Sequence, residues 1–287
     1  MVGDAKSSDA AEQTELPLLE DIPVVVTASR QLEHLTEAPA IISVITAEDI
    51  RQMGARDLMD VLRRIPGMEI MQDAWAVPQI AVRGLQSESS AGVKILLDGH
   101  ALNDPLTGGA TEFYADLPLQ NIRRIEVLRG PASALYGANA FVSAVNLITK
   151  SAAEINGAEV ALGFGSFNTW QPSIMFGKRL QELEISLYAD YFRTAGAKLR
   201  INADALSLYD ETHAPQGFAP ISLAPGNLQE KREKLHLAYK LKYLDLTVRG
   251  GFLAKSWGPF LTDADILNPS SSEDVRHAYA DLEYRHF

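Results

Sequence analysis

The stretch Lys234–Phe252, which reads KLHLAYKLKYLDLTVRGGF, decides the fold of the second half of the chain. In its first ten residues, apolar or aromatic side chains occupy every second position, and mostly polar side chains lie between them. Successive side chains of a β-strand point to opposite faces, so this period predicts a strand with one apolar and one polar face. The pattern resumes after a turn near Leu244 and Asp245, which predicts an antiparallel hairpin.

The same alternation predicts six strands after residue 151, at roughly 157–166, 169–178, 182–194, 233–243, 245–255 and 275–287. The turns on one side are short, whereas the connections 196–231 and 256–274 are long and polar. Such strands and loops are typical of a transmembrane β-barrel, although a soluble antiparallel sheet with one wet face has the same period. Because such barrels have at least about eight strands and the chain ends within a strand pattern, we expect an incomplete barrel with open edges.

The first half of the chain mixes helix and strand signals. Thr46 is a predicted helix N-cap with Asp49 at the third helical position, Gly54 divides the helical pattern, and Pro66 with Gly67 ends it. Predicted strands surround these helices, at residues 41–45, 68–71, 79–83, 93–97, 124–129 and 144–149. The sequence therefore predicts an α+β domain of about 130 residues, followed by the antiparallel strands.

Composition excludes several classes of function. The chain of 287 residues has a net charge of -11 and no long basic cluster, which argues against a partner that is a nucleic acid. With no cysteine, it has no disulfide and no thiolate ligand or nucleophile. Residues 1–20 are polar and acidic without the apolar core of a secretory signal, and we expect them to form a flexible lead.

The sequence also lacks recognisable motifs for phosphate binding, nucleophilic catalysis or metal binding. The loop RGPASALYG, from Arg129 to Gly137, has neither the Gly-Lys-Ser/Thr ending nor the glycine spacing of a phosphate-binding loop, and Pro131 removes a backbone donor. The six histidines share no ligand-like spacing, and no nucleophile motif occurs. We therefore expect no enzyme activity, no cofactor and no metal site. A calcium site at the loop acids Asp204, Asp210 and Glu211 stays an alternative.

Six collinear blocks of the first half carry a family resemblance: DIPVVVTASR (21–30), APAIISVITAEDI (38–50), DLMDVLRRIPGMEI (57–70), IAVRGL (80–85), ILLDGHALND (95–104) and NIRRIEVLRGPASALYGANAFVSAVNLITK (121–150). Together they resemble the plug domain of TonB-dependent outer-membrane receptors, and the strands that follow resemble the start of the family's 22-stranded barrel. The resemblance implies a lead at 1–20, a TonB box and plug start at 21–30, a plug domain at 31–152 and barrel strands at 153–287.

The resemblance implies two mechanical elements. One is the TonB box, the extended segment that pairs with a strand of periplasmic TonB: Asp21, Ile22, Pro23, Val24, Val25, Val26, Thr27 and Ala28. Its β-branched residues suit strand addition, while Pro23 weakens the pairing at its start, and an ordinary first plug strand is the alternative. The other is a plug–barrel lock at Arg83 and Arg129, whose planar guanidinium groups would bind carboxylates of the barrel wall.

By the same resemblance, plug loops at 73–78 and 99–114 would face outward and contact substrate. The candidate residues are Trp75, His100, Asn103, Asp104, Phe113 and Tyr114. The implied function is uptake of a scarce bulky nutrient across the bacterial outer membrane, with energy from TonB and its inner-membrane complex. We expect an iron–siderophore complex, with cobalamin or haem as alternatives. Two rival interpretations are a truncated, non-transporting binding module and a soluble ligand-binding β protein.

Overall fold

The computed structural model describes residues 24–25, 27, 33–34, 41–73, 77–228, 230–258 and 265–285. Its N-terminal domain contains these elements: β1 Val24–Val25, β2 Glu33–His34, β3 Ile42–Thr46, α1 Ala47–Met53, α2 Leu58–Leu62, β4 Met68–Gln72, β5 Pro78–Val82, β6 Leu85–Gln86, β7 Val93–Leu97, β8 His100–Ala101, α3 Thr111–Tyr114, β9 Ile122–Arg129, α4 Ser133–Tyr136, β10 Ser143–Thr149 and α5 Ala152–Ile155. Within the described residues, no helix has the length and apolarity needed to cross a membrane.

Local signals set the ends of the first helices, as the sequence predicts. The Thr46 hydroxyl accepts a hydrogen bond from the Asp49 amide at 3.1 Å, and the Asp49 carboxylate accepts one from the Thr46 amide at 2.8 Å. This capping box satisfies backbone donors that have no partner inside the helix. Gly54 ends α1 with φ 65°, a left-handed conformation that glycine adopts without steric cost.

The centre of the N-terminal domain is a five-stranded sheet in the order β3-β9-β10-β7-β8. Only the β10–β7 pair is parallel, and β4, β5 and β6 form a second, three-stranded sheet. The apolar core lies between the central sheet, α1, α2 and β5. It includes Leu253 of a later strand, so the two halves of the chain share one core.

The second half forms a six-stranded antiparallel meander, here called the wall sheet, in the order β11-β12-β13-β16-β17-β18. The elements of this half are β11 Gly157–Gly165, β12 Thr169–Leu180, β13 Leu183–Thr194, β14 Arg200–Ile201, α6 Ala205–His213, β15 Gly226–Asn227, β16 Arg232–Tyr243, β17 Leu246–Trp257 and β18 Glu273–Tyr284. Every predicted strand is present with ends close to those predicted. The small elements β14, α6 and β15 lie inside the first long connection, 196–231, where the strand alternation predicts only a polar loop.

In the wall sheet, apolar side chains are exposed on the outer face and polar side chains are buried on the inner face, which is the reverse of the pattern in a soluble sheet. On β16, the outward Leu237 is 39% exposed, while the neighbouring inward Lys234 and His236 are 5% and 2% exposed. Outward apolar side chains stay exposed on the outer strands as well, at Val160 with 68% and Leu282 with 66%. An apolar outer face with a polar inner face is the pattern of a sheet that faces lipid. This pattern favours the transmembrane interpretation over a soluble sheet.

Helix α5, at the junction between the two halves of the chain, packs very closely on Gly177 of β12. Helix α5 follows the last strand of the N-terminal domain and packs on β12. A Cβ atom at Gly177 would lie 2.5 Å from the Ile155 Cβ and 2.8 Å from the Ala152 carbonyl oxygen. No real Cβ contact is this short, so glycine is required for α5 to rest on the wall sheet.

We predict that Gly177→Val displaces α5 from β12 and destabilises the protein by about 1–3 kcal/mol, because the added side chain overlaps Ile155. The measurement is thermal unfolding in detergent. Gly163→Ala on β11 is the matched control, since its Cβ would make only ordinary contacts at 3.5 Å. Equal unfolding temperatures for the two variants would contradict the prediction.

Candidate functional site at the contact between the two halves

The first contact between the N-terminal domain and the wall sheet lies near the strand ends that carry the long loops. Lys234 donates to the Asp116 backbone carbonyl and lies 3.7 Å from its carboxylate. Lys255 of the adjacent strand lies 3.4 Å from the other carboxylate oxygen and donates to the Glu112 carbonyl at 3.2 Å. Burial alone would raise the pKa of Asp116, but the charges of Lys234 and Lys255 lower it to about 2. Asp116 is therefore ionised at neutral pH and attracts both wall lysines.

The second contact lies toward the short turns. Lys240 donates to the Asp98 carboxylate at 2.8 Å and to the Thr149 hydroxyl at 2.6 Å. The Thr149 hydroxyl and amide in turn donate to Asp98, at 2.6 and 2.9 Å. Burial would raise the pKa of Asp98, and the Lys240 charge with these hydrogen bonds lowers it instead. This contact connects the turn after β7, the end of β10 and the wall.

Aromatic rings fill the space between these two contacts. The Tyr114 hydroxyl is hydrogen-bonded to Nδ1 of His277, and Phe113 stacks on the same imidazole with ring centroids 6.2 Å apart. Farther toward the short turns, His100 stacks on Tyr279 at 4.2 Å. Burial removes water from the His100 imidazole and lowers its pKa, so the ring is neutral at pH 7.

The predicted substrate residues occupy different places. His100, Phe113 and Tyr114 face the wall sheet rather than an open loop surface. The side-chain oxygen of Asn103 accepts a hydrogen bond from the Ile95 backbone N–H at 3.0 Å, and its side-chain nitrogen donates to the Val93 and Gly108 carbonyls. The Asn103 side chain therefore supports the loop 104–109. Asp104 accepts from the Leu106 amide within the same loop. Trp75 lies outside the described residues.

The two predicted lock arginines meet at one turn of the N-terminal domain. Arg129 donates to the Pro66 carbonyl at 3.1 Å, while its buried Nε has no hydrogen-bond partner among the described residues. The Arg83 amide donates to the Gly67 carbonyl at 2.7 Å, and its side chain is exposed. Neither guanidinium forms an ion pair with a described carboxylate. Their pairing with the barrel wall stays a prediction.

Part of the predicted TonB box is described. Val24 and Val25 form β1, which pairs antiparallel with Glu33 and His34. Thr27 is fully buried, and both its amide and its hydroxyl donate to one Glu126 carboxylate oxygen, at 2.9 and 2.6 Å. The residues Asp21, Ile22, Pro23, Val26 and Ala28 lie outside the described residues.

Two of the three acids in the calcium alternative, Asp204 and Asp210, have protein partners. The Asp204 carboxylate accepts from Ser207, from the Ser222 hydroxyl and from the Leu267 amide, which links the two long loops. Partial burial would raise the pKa of Asp204, and these hydrogen bonds lower it to about 2. Asp210 accepts from the amides of residues 221 and 222. In the described part of the chain, no group of three or more acidic or histidine side chains could hold a metal ion, so nothing here favours the calcium alternative.

Comparisons with known proteins show what the N-terminal domain is similar to. The profile of the TonB-dependent receptor plug domain matches residues 34–144. The vitamin B12 transporter BtuB of Vibrio vulnificus is 37% identical over 145 residues, which are 50% of this chain and 23% of BtuB. Residues 34–144 form a TonB-dependent receptor plug domain. The N-terminal domain of this chain is therefore the plug domain that this family model describes.

Solved receptors share the fold. The ferripyoverdine receptor of the Pseudomonas aeruginosa outer membrane aligns with a TM-score of 0.59 at 17% identity, over 91% of this chain and 34% of that receptor. The ferric yersiniabactin uptake receptor FyuA of Yersinia pestis aligns with a TM-score of 0.59 at 14% identity, over 86% of this chain and 38% of FyuA. The chain spans about a quarter of the BtuB relatives and about a third of these receptors.

Sequence reasoning missed the residues that attach the plug to the wall sheet in this receptor. They are Asp98, Asp116, Lys234, Lys240 and Lys255. The signal for the lysines was present, because Lys234 and Lys240 lie on the polar face of a predicted transmembrane strand. Nothing in the sequence marked Asp98 or Asp116 as their partners.

We predict that Asp116→Asn lowers the free energy of unfolding by about 1–3 kcal/mol, because buried Lys234 and partly buried Lys255 lose a charged acceptor. Urea unfolding in detergent measures the change. Glu159→Gln is the matched control, since its ion pair with Lys150 is long, at 3.8 Å, and half exposed, and its loss should cost at most about 1 kcal/mol. An Asp116→Asn effect no larger than the control effect would refute a structural role for this contact.

The Asp116 contact also predicts a pH dependence. Its carboxyl pKa is lowered from the usual 3.8 to about 2 in the folded receptor. The stability that it contributes is therefore complete above pH 3.8 and is lost as the pH falls through about 2. We expect the stability difference between wild type and Asp116→Asn to be constant near neutral pH and to shrink over this acid range. A difference that does not depend on pH would contradict the ion-pair assignment.

Proposed function

We propose that the receptor imports a scarce, bulky metal complex across the outer membrane, with energy that TonB delivers to the segment Asp21 to Ala28. The observation that carries this proposal is a plug domain held by partly buried ion pairs against a sheet whose outer face is apolar. A plug attached in this way obstructs passage, so cargo can pass only if work displaces or remodels part of it. The apolar outer face would contact membrane lipid.

We propose the following domain limits, which the matched plug region 34–144 supports. The plug occupies residues 31–152, which enclose the matched region 34–144, and the barrel strands occupy residues 153–287, which begin just before β11. Residues 21–30 form the TonB box and the start of the plug. Residues 1–20 form a lead before it.

The cargo class is supported by two sets of relatives. Curated relatives that share the plug sequence are named vitamin B12 transporters, while the receptors that share the fold are named for ferripyoverdine and ferric yersiniabactin. Both kinds of cargo are bulky metal complexes too large for simple diffusion through a narrow pore. We propose an iron–siderophore complex as cargo, and the sequence identity to BtuB favours cobalamin as the second candidate.

Uptake measurements distinguish the two cargo classes. The receptor, expressed from its complete reading frame in cells that lack their own uptake receptors, is given radiolabelled ferric siderophores or cyanocobalamin. Uptake of a ferric siderophore that stops when TonB is deleted supports the proposal, and uptake of cyanocobalamin alone selects the second candidate. Failure to import or bind any metal complex would favour a non-transporting module instead.

We predict that Val25→Pro abolishes TonB-dependent uptake while leaving cargo binding at the cell surface unchanged. Proline removes a backbone donor and disrupts strand pairing at the predicted TonB box. Val25→Ala is the matched control, because it keeps the backbone N–H and should retain most uptake. Uptake that survives the proline would disprove the TonB-box assignment.

A further inference from the structure

Glu126 is a buried carboxylate whose surroundings connect the centre of the plug to the TonB-box segment. It lies in β9, between the buried residues Ile125 and Val127, and its side chain has no solvent exposure. A carboxylate in such a place is costly unless donors surround it. Two donors come from Thr27 and a third from Arg124 Nε at 2.8 Å.

The Thr27 contact is a two-point hydrogen bond between segments far apart in the chain. The Thr27 amide and hydroxyl approach the same oxygen, Oε2, at 2.9 and 2.6 Å, across 99 residues of sequence. Hydrogen bonds to an ionised acceptor are stronger than neutral ones. The contact therefore fixes both the backbone and the side chain of Thr27 on the plug sheet.

The position of this contact matters for any pull on the segment. Thr27 lies two residues after β1, whose backbone pairs with Glu33 and His34. Tension applied at Val24 and Val25 would reach Glu126 through Thr27, and from Glu126 it would enter the central strand β9, which pairs with both β3 and β10.

The contact can open without leaving a bare charge in the core. Arg124 binds the other carboxylate oxygen, Oε1, and its own side chain is 14% exposed. When Thr27 leaves, the carboxylate therefore keeps a charged partner. A carboxylate with donors on both oxygens can therefore release one set of hydrogen bonds and keep the other.

We propose that Glu126 is a positioning residue that holds the segment around Thr27 on the plug and limits the access of TonB to Val24 and Val25. This inference rests on the proposed function for the role of TonB, but the contact with Thr27 does not. Loss of the contact raises the fraction of receptor in which the segment is free. Because only the free fraction binds a partner strand, the apparent affinity for TonB rises with that fraction.

Hydrogen exchange of the purified receptor tests the first half of the proposal, since the Thr27 amide is one of the bonded groups. We expect the peptide that covers residues 24–34 to exchange about tenfold faster or more in Glu126→Ala and Thr27→Val, which corresponds to the loss of a charge-assisted hydrogen bond. Thr27→Ser keeps both donors and should exchange like wild type. The peptide of β10, residues 143–149, shows whether the plug sheet is still folded.

Binding of the purified periplasmic domain of TonB tests the second half. Wild type should bind more weakly than Glu126→Ala, in which the TonB box itself is unchanged. Glu159→Gln, which removes only a half-exposed ion pair with Lys150, should match wild type. Unchanged exchange at 24–34 with a protected β10 would overturn the proposal, as would faster exchange with unchanged TonB affinity. If TonB binds neither the wild type nor any variant, the proposed function fails. Faster exchange in Glu126→Ala and Thr27→Val would still support the positioning role of Glu126 in that case.

Discussion

The burial of lysine side chains on the inner face of the wall sheet is the constraint on which the rest of the structure depends. Lys234 is 5% exposed, and an isolated ammonium group in such a place would be strongly destabilising. The plug supplies the required acceptors through Asp116 and Asp98. Separation of the plug from the wall sheet would therefore leave the wall lysines and the plug aspartates without their charged partners. Each half of the chain supplies the counter-charges of the other half.

In these ion pairs, the signs of the charges on plug and wall are opposite to those in the plug–barrel lock that the family resemblance implies. That lock would use plug arginines and wall carboxylates, whereas the described contacts use plug aspartates and wall lysines. The two arrangements are compatible, since Arg83 and Arg129 lie together at the Pro66 and Gly67 turn, apart from the aspartate contacts. Charged groups of both signs on the plug would let different faces of the plug be attached to different parts of a barrel.

The plug is attached to its surroundings with unequal strength along its length. The turn after β7 and Asp116, two residues after α3, are held by ion pairs, and Leu253 of the wall sheet belongs to the plug core. The N-terminal segment is held at its described residues by a two-residue strand pair and by the Thr27 contact with Glu126. The described part of this segment is therefore held on the central sheet through Glu126, which accepts both Thr27 hydrogen bonds.

Sequence by itself determined the elements and their faces. The alternation around Lys234–Phe252 predicted strands with one apolar face, and Thr46, Asp49 and Gly54 predicted the first helices, because strand period, capping and left-handed glycine are local properties of the chain. Only the tertiary structure determines which side chains from distant parts of the sequence contact each other. His100 was predicted to lie in an outward loop, but it stacks on Tyr279, which is 179 residues away, and Glu126 binds Thr27 across 99 residues. Pairings of this kind depend on the packing of plug on wall, and no local pattern in the sequence specifies that packing.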